Sequence, residues 1–345
     1  MNSIALIAFT KRGCGLACEI SRGLAASPDY ATATCSVSGP PRYAEEAGID
    51  SYESLSAWTA EHFASDDALV FVGASGIAVR AIAPHVRDKF TDPAVVSIDE
   101  AGRFAVPLLS GHVGGANELA RVVAGIAGGQ AVVSTATDVN GMFAVDEWAA
   151  RNNLAIVERG IAKEISAALL EGRPIGFRSD FDVDWELPAG LTEGDADVGF
   201  VVSLGQASKP FAQTLHLVPK TVTVGVGCRR GTDADVLHRA VFEVLGEANV
   251  SPAAVSTLAS IDVKKDEPAI HALARAEAWD LRFYSADELA AVPGEFSSSA
   301  FVERTVGVDN VCERAACAEG AALLTDKHAG DGVTVALAFM KPKLT

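Results

Sequence analysis

A chain of 345 residues, 49% of them hydrophobic, is long enough for two or three domains and too apolar for a disordered protein. Its 28 basic and 45 acidic residues leave a net charge of −17. That balance excludes general nucleic-acid binding, which needs a basic face, and means that an acidic ligand would need a local basic pocket. None of the six cysteines forms a CxxC pair, so reduced cytosolic thiols are expected rather than disulfides or a zinc site. The start MNSIALIAF lacks a basic leader, and no run reaches the ~18 apolar residues of a membrane span. A soluble, cytoplasmic protein with no membrane partner is therefore expected.

Residues 3–9 read as a first strand, 10–13 as a turn and 16–24 as a helix. Thr10 suits the helix cap, while Lys11 and Arg12 are either an anion site or solvated charges. Gly39, Pro40 and Pro41 predict a loop over 38–43, and 55–63 reads as a helix. The run ALVFV at 68–72 is a buried strand that enters Gly73, Ala74, Ser75 and Gly76 before a helix over 77–82. Gly73 and Gly76 permit close backbone approach to a ligand. Arg80, one turn into that helix, and His85, Arg87 and Lys89 beyond it are candidates for meeting carboxylates. Their plain alternative is solvated charge near a helix C-terminus. Residues 94–98 read as a strand and 100–103 as a hairpin-type turn.

Residues 107–143 are the stretch around which the chain is organised. An apolar run leads into Ser110, Gly111 and His112, then Gly114 and Gly115. Leu119, Val122, Val123 and Ile126 follow at helical spacing, and Gly128 and Gly129 stop the helix. Residues 131–134 read as a short strand, and 135–141 as a polar loop. This is a βαβ unit with two polar clusters at strand ends, where ligands gather in such units. The first cluster is Ser110, Gly111, His112, Gly114, Gly115 and Asn117. The second is Thr135, Thr137, Asp138 and Asn140. The helix start near Gly115 is expected to offer backbone N–H groups to an anion. The plain alternative is a tight connection followed by a turn. Neither a phosphate-binding Gly-Lys-Ser/Thr sequence nor a dinucleotide glycine spacing is present.

Beyond it, helices are expected from residue 146 and over 161–170, with strands at 174–177 and 215–218. The acids of 180–197 alternate with other residues but lack the spacing of a calcium loop, and read as a solvated loop. After a linker at Pro219 and Lys220, a strand over 222–226 enters Cys228, Arg229, Arg230 and Gly231, with Thr232 as the expected helix cap. Arg229 and Arg230 are forked donors suited to carboxylates, or else a basic surface turn. Strands at 258–263, 281–284 and 333–339 alternate with helices, Pro268 fits a first helical position, and Ser285 with Glu288 makes a capping box. Residues 296–306 read as a lid or a strand. The expected fold class is α/β throughout: an N-terminal α/β domain at 1–130, a small middle region at 131–219 and a separate C-terminal α/β domain at 220–345.

The segments LLSGHVGGANELA and TATDVNGMFAVDEWA resemble the signature of the cobalt-precorrin-5A hydrolase (CbiG) family of cobalamin biosynthesis. The run from VGASGIAVRAIAPH to SIDEAGRF resembles the part of that family just upstream. VGVGCRRGT, LASIDVKKDEPAI, YSADEL and VGVDNVCERAA resemble its C-terminal domain, which is also similar to the stand-alone CobE-type proteins. The resemblance implies an enzyme that opens the δ-lactone of cobalt-precorrin-5A and releases acetaldehyde to give cobalt-precorrin-5B. It implies no cofactor of the protein's own, because the cobalt arrives with the substrate, and other corrin-pathway enzymes as possible partners.

That chemistry needs a base for water, a stabilised carbonyl oxyanion, help for carbon–carbon cleavage and holds for the substrate's carboxylates. His112 is the first candidate for acid or base, Asp138 the second, as a base or as the residue orienting His112, and Glu118 the third. The N–H groups of Gly114 and Gly115, with Asn117 or Asn140, are candidates for the oxyanion. Gly73, Gly76, Arg80, Ser110, Gly111, Thr137, Arg229 and Arg230 complete the expected binding set, in a cleft between two lobes. A reading of a different class is a tetrapyrrole carrier or scaffold without turnover. A nucleotide-binding enzyme comes third, for want of a phosphate motif.

Overall fold

The structure is a computed structural model that describes residues 1–88, 91–112, 114–135, 141–299, 304 and 306–345. The chain divides into two compact units, Met1–Ala150 and Arg151–Thr345.

In the first unit the strands are β1 (Ser3–Ala8), β2 (Thr34–Gly39), β3 (Asp50–Ser51), β4 (Ala68–Val72), β5 (Ala94–Ile98), β6 (Phe104–Leu109) and β7 (Gln130–Ala131). They form one sheet in the order β3-β2-β1-β4-β5-β6-β7. The helices are α1 (Lys11–Ala26), α2 (Pro41–Ala47), α3 (Leu55–Ser65), α4 (Ser75–Ile82), α5 (Ala116–Ala127) and α6 (Val145–Arg151). Strand residues alternate between the two faces of the sheet. Ile4 and Leu6 pack with Ile20, Leu24, Leu119 and Val123 of α1 and α5. Ala5 and Ile7 pack with Trp58, Phe71 and Ile82 on the other side. The continuous apolar run of a centrally placed strand is thus explained by burial on both faces.

The first five strands run parallel, but β6 runs against β5 and parallel to β7. Asp99 makes the reversal: its carboxylate accepts the N–H groups of Ala101 (2.9 Å), Arg103 (2.9 Å) and Phe104 (2.8 Å). Those bonds hold its carboxyl below the ordinary aspartate range, against the desolvation that pushes it up. The hairpin-type turn was legible, and its consequence governs the site. The C-terminal end of β6 lies at the opposite edge of the sheet from the C-terminal ends of β1 and β4.

Thr10 caps α1 as expected, its hydroxyl accepting the Gly13 N–H at 3.0 Å. The loop expected at 38–43 is instead the end of β2 and the start of α2, with Pro41 at a first-turn position that needs no N–H. The strand expected over 131–134 pairs only through Gln130–Ala131.

The second unit carries two sheets. One has β8 (Leu154–Ile156), β9 (Ile175–Ser179), β10 (Leu191–Thr192), β11 (Val198–Val202) and β12 (Gln213–Pro219), in the order β10-β9-β11-β12-β8. Helix α7 (Arg159–Leu170) contributes Ala162, Ile165, Ala168 and Leu169 to its core. The other has β13 (Val222–Cys228), β14 (Val255–Ile261), β15 (Asp280–Tyr284), β16 (Ala322–Leu323), β17 (His328–Gly330) and β18 (Val333–Phe339). Here β13, β14 and β15 are parallel and β18 is antiparallel to β13. Helices α8 (Ala234–Glu247) and α9 (Pro268–Glu277) cover one face through Leu237, Val241, Ile270 and Leu273. Helix α10 (Ala286–Ala291) begins with the expected capping box. Asp233, not Thr232, caps α8, accepting the Asp235 N–H at 2.8 Å. Each sheet of this α/β architecture is thus mixed, with one antiparallel member or more.

Candidate active site

At the C-terminal ends of β6 and β7 lies a cavity of about 330 Å³. Ser110, Gly111, His112, Asn117, Thr135 and Asp146 supply its polar wall. The glycine loop between β6 and α5 builds it. Ser110 turns the chain with φ +54°, a strained value for a residue with a side chain, and its hydroxyl donates to the Asp92 carbonyl at 2.9 Å. The Asp92 carboxylate in turn accepts the Arg87 N–H at 2.8 Å, so the segment before β5 holds the loop.

Two glycines are needed by close approach. A Cβ on Gly114 would lie 2.4 Å from the Ser110 Cβ and 2.8 Å from the Ser110 carbonyl oxygen. One on Gly111 would lie 2.7 Å from Asn117 Oδ1. Only bare backbone lets the loop fold back so tightly.

This tight fold engages three of the amides at the helix start. Gly115 N–H donates to the His112 carbonyl (3.0 Å), Ala116 N–H to that of Ser110 (3.2 Å) and Asn117 N–H to that of Gly111 (2.9 Å). The expectation of an oxyanion site at the Gly115 N–H is corrected accordingly: the loop's own carbonyls reach that donor first. Neither Gly114 nor Gly115 lines the cavity.

Histidine 112 does line it, and its Nδ1 lies 3.3 Å from Asp146 Oδ1. Both side chains are mostly buried, at 13% and 12% exposure. Asp146 stands in the first turn of α6, and its Oδ1 also accepts the Glu147 N–H at 3.1 Å. Asp146 is the residue that sequence reasoning missed. The helix was read as starting there, but nothing local says that its carboxylate meets a histidine 34 positions earlier. Opposite, Asn117 is 2% exposed and donates from Nδ2 to Thr135 Oγ1 at 3.1 Å. Its burial, one helical step from exposed Glu118, follows from the 3.6-residue turn of α5.

Glu118 is thereby turned away from the cavity. Its carboxylate pairs with Arg121 at 3.1 Å, and Arg121 also reaches Glu147 at 3.8 Å. Gly73, Gly76 and Arg80 follow β4 and so lie at the opposite edge of the sheet. There Arg80 Nη1 donates to the Gly76 carbonyl at 3.0 Å, one turn back along α4. The strand reversal at Asp99 separates them from His112. Arg229 and Arg230 are exposed in the turn after β13 in the second unit, where the Arg229 N–H donates to the Gly332 carbonyl at 3.1 Å. Thr137, Asp138, Asn140 and Lys89 lie outside the described residues.

Family models match in three consecutive blocks. These are the N-terminal part of cobalamin synthesis G over residues 57–138, the cobalamin biosynthesis central region over 143–219 and the C-terminus of cobalamin synthesis G over 222–338. A cobalt-precorrin-5A hydrolase of Salmonella typhimurium is 34% identical, over 97% of this chain and 97% of that one. The chain belongs to the cobalamin synthesis G (CbiG) family. A cobalt-precorrin-5A hydrolase of Priestia megaterium is 31% identical, over 81% of this chain and 80% of its own length. The crystal structure of CobE, a protein from the cobalamin (vitamin B12) biosynthetic pathway, is 34% identical over 35% of this chain and 93% of that one, with a TM-score of 0.33. Among the described residues, no helix is long and apolar enough to cross a membrane.

Proposed function

We propose that this chain is a cobalt-precorrin-5A hydrolase that opens the substrate's δ-lactone with water and releases acetaldehyde, giving cobalt-precorrin-5B. The observation that carries the reading is the buried His112–Asp146 pair in the wall of a cavity, within a family whose relative over 97% of the chain bears that name. The family supports the substrate, and the pair supports the chemistry.

With the Asp146 carboxylate 3.3 Å from Nδ1 of His112 favouring the proton on that nitrogen, the basic lone pair is on Nε2. Nε2 takes a proton from water as the water oxygen bonds to the lactone carbonyl carbon. The carbonyl electron pair moves to oxygen, then returns as the ring C–O bond breaks, and the departing oxygen takes the proton back from His112. A carboxylic acid and a hydroxyl result. Loss of the hydroxyl proton forms the aldehyde C=O while the adjacent C–C bond breaks, leaving its electron pair on the conjugated macrocycle, which is then protonated. One water enters and one acetaldehyde leaves, with no oxidant and no cofactor beyond the cobalt that the substrate carries. Asp146 stabilises the transient imidazolium by charge.

The cavity's size limits what enters. At about 330 Å³ it sits at the lower end of the roughly 300–1,000 Å³ of small-molecule pockets. That is room for the lactone-bearing corner, with the acid arms of the macrocycle outside.

Anoxic incubation of the pure protein with cobalt-precorrin-5A, with volatile aldehyde trapped, tests the proposal. Enzyme-dependent acetaldehyde supports it. Tight binding without aldehyde favours a carrier, and neither binding nor aldehyde removes the substrate assignment.

A further inference from the structure

Lactone opening needs a donor for the carbonyl oxygen as it gains charge, and the expected Gly115 N–H is bonded within the glycine loop. The amides of Gly115, Ala116 and Asn117 are spent on the loop's own carbonyls. We infer that the Thr135 hydroxyl is that donor and that Asn117 is the positioning residue that aims it. The inference rests on the lactone-opening reading given above.

Thr135 follows β7 and lines the same cavity as His112. Its Oγ1 accepts the Asn117 Nδ2–H at 3.1 Å. A hydroxyl has one hydrogen to donate and two lone pairs, so this bond occupies a lone pair and leaves the hydrogen to point elsewhere. Among the described residues that hydrogen has no acceptor. A hydroxyl that accepts a bond is also the stronger donor, because successive hydrogen bonds polarise one another. Asn117 is held rigidly for this purpose. It is 2% exposed, its N–H is tied to the Gly111 carbonyl at 2.9 Å, and Gly111 has no side chain to displace the amide. Threonine adds a β-branch that restricts rotation about χ1.

The cavity then has two arms. His112 with Asp146 handles the proton of water, and Thr135 with Asn117 receives the charge that develops on the carbonyl. Donors aimed where charge appears act on the transition state more than on the bound substrate.

Thr135→Val removes the hydroxyl and keeps the shape; Thr135→Ser keeps the hydroxyl. Acetaldehyde release and cobalt-precorrin-5A binding are measured for both, with circular dichroism to verify folding. The expected result for Thr135→Val is a fall in kcat of about 10²–10³-fold, with KM and binding within about threefold of wild type. Thr135→Ser should recover kcat to within about tenfold of wild type. A folded Thr135→Val with wild-type kcat overturns the inference and leaves the hydrolase reading standing. If Thr135→Val does not fold, Thr135→Ser decides: a loss as deep as about 10²-fold in a folded serine variant overturns the role of the hydroxyl. A wild-type protein that releases no acetaldehyde overturns the underlying reading, and this inference with it.

Discussion

Replacing Asp146 by asparagine removes one charge and few atoms from the cavity wall. The carboxylate stands 3.3 Å from His112 Nδ1 with both partners almost nine-tenths buried. At that separation an imidazolium and a carboxylate attract by about 5 kcal/mol at an effective dielectric of about 20. The asparagine amide keeps part of that as a dipole, and relaxation recovers more, so a loss of about 3–5 kcal/mol is the expected range. At about 1.36 kcal/mol per decade this is about 10²–10⁴-fold in kcat. In the proposed reaction the imidazolium forms as water is deprotonated, so the effect should fall on kcat rather than on substrate binding. The assay is acetaldehyde release under saturating cobalt-precorrin-5A, beside urea unfolding to show that the variant is folded. A folded Asp146→Asn protein within threefold of wild-type kcat would refute the role given to the pair.

Three further outcomes follow from the geometry. Gly114→Ala sets a methyl 2.4 Å from the Ser110 Cβ and 2.8 Å from a carbonyl oxygen, neither of which is the end of a flexible side chain. It should cost about 1–3 kcal/mol in urea unfolding and reduce turnover, because the same loop carries His112. His216, 1% exposed, has Nδ1 2.8 Å from the Glu158 carboxylate and Nε2 2.8 Å from the Ser208 carbonyl. His216→Ala should lower unfolding free energy by about 2–3 kcal/mol, less than a fully buried pair because the Glu158 side chain is 31% exposed. The Tyr30 and Tyr284 phenols are each pushed up to about 12, mainly by burial, with Glu118 and Asp29 acting on Tyr30 and Glu319 on Tyr284. Because the folded value lies above the ordinary phenol value near 10, the stability involved is present below about pH 10 and lost between about 10 and 12. Phenolate absorbance should rise late in that window, and Tyr30→Phe and Tyr284→Phe should each remove part of the late rise.

Much of this fold could be read before any coordinates. Alternation and apolar runs marked β1, β4, β5 and β18. The spacing of Leu119, Val122, Val123 and Ile126 marked α5, and Gly128, with φ +69°, ends it. These signals are local, which is why they were legible. Strand β11, VGFVV, follows a long acidic stretch and was passed over. Its five residues are all buried, an apolar run like that of β4 rather than an alternating strand. The alternating acids before it have a structural partner in their apolar neighbours. Phe181, Val183, Trp185 and Leu187 line a second cavity, of about 450 Å³, while Asp182 and Asp184 are exposed.

The candidate site was legible in part for the same reason. His112, Asn117 and the glycines share one motif, and their convergence needs no long-range information. Asp146 depends on where α6 packs, and no local pattern encodes that. Gly73, Gly76 and Arg80 looked equivalent because their strand–glycine–helix pattern is the same. What separates them is strand direction, set by the three hydrogen bonds that Asp99 accepts in the turn before β6.

Turnover in ¹⁸O-labelled water tests the central claim most directly. Attack of water on the lactone carbonyl predicts trapped acetaldehyde together with a tetrapyrrole product that gains one heavy oxygen in a carboxylate. No acetaldehyde, or acetaldehyde beside a tetrapyrrole without the label, would contradict lactone hydrolysis at this cavity.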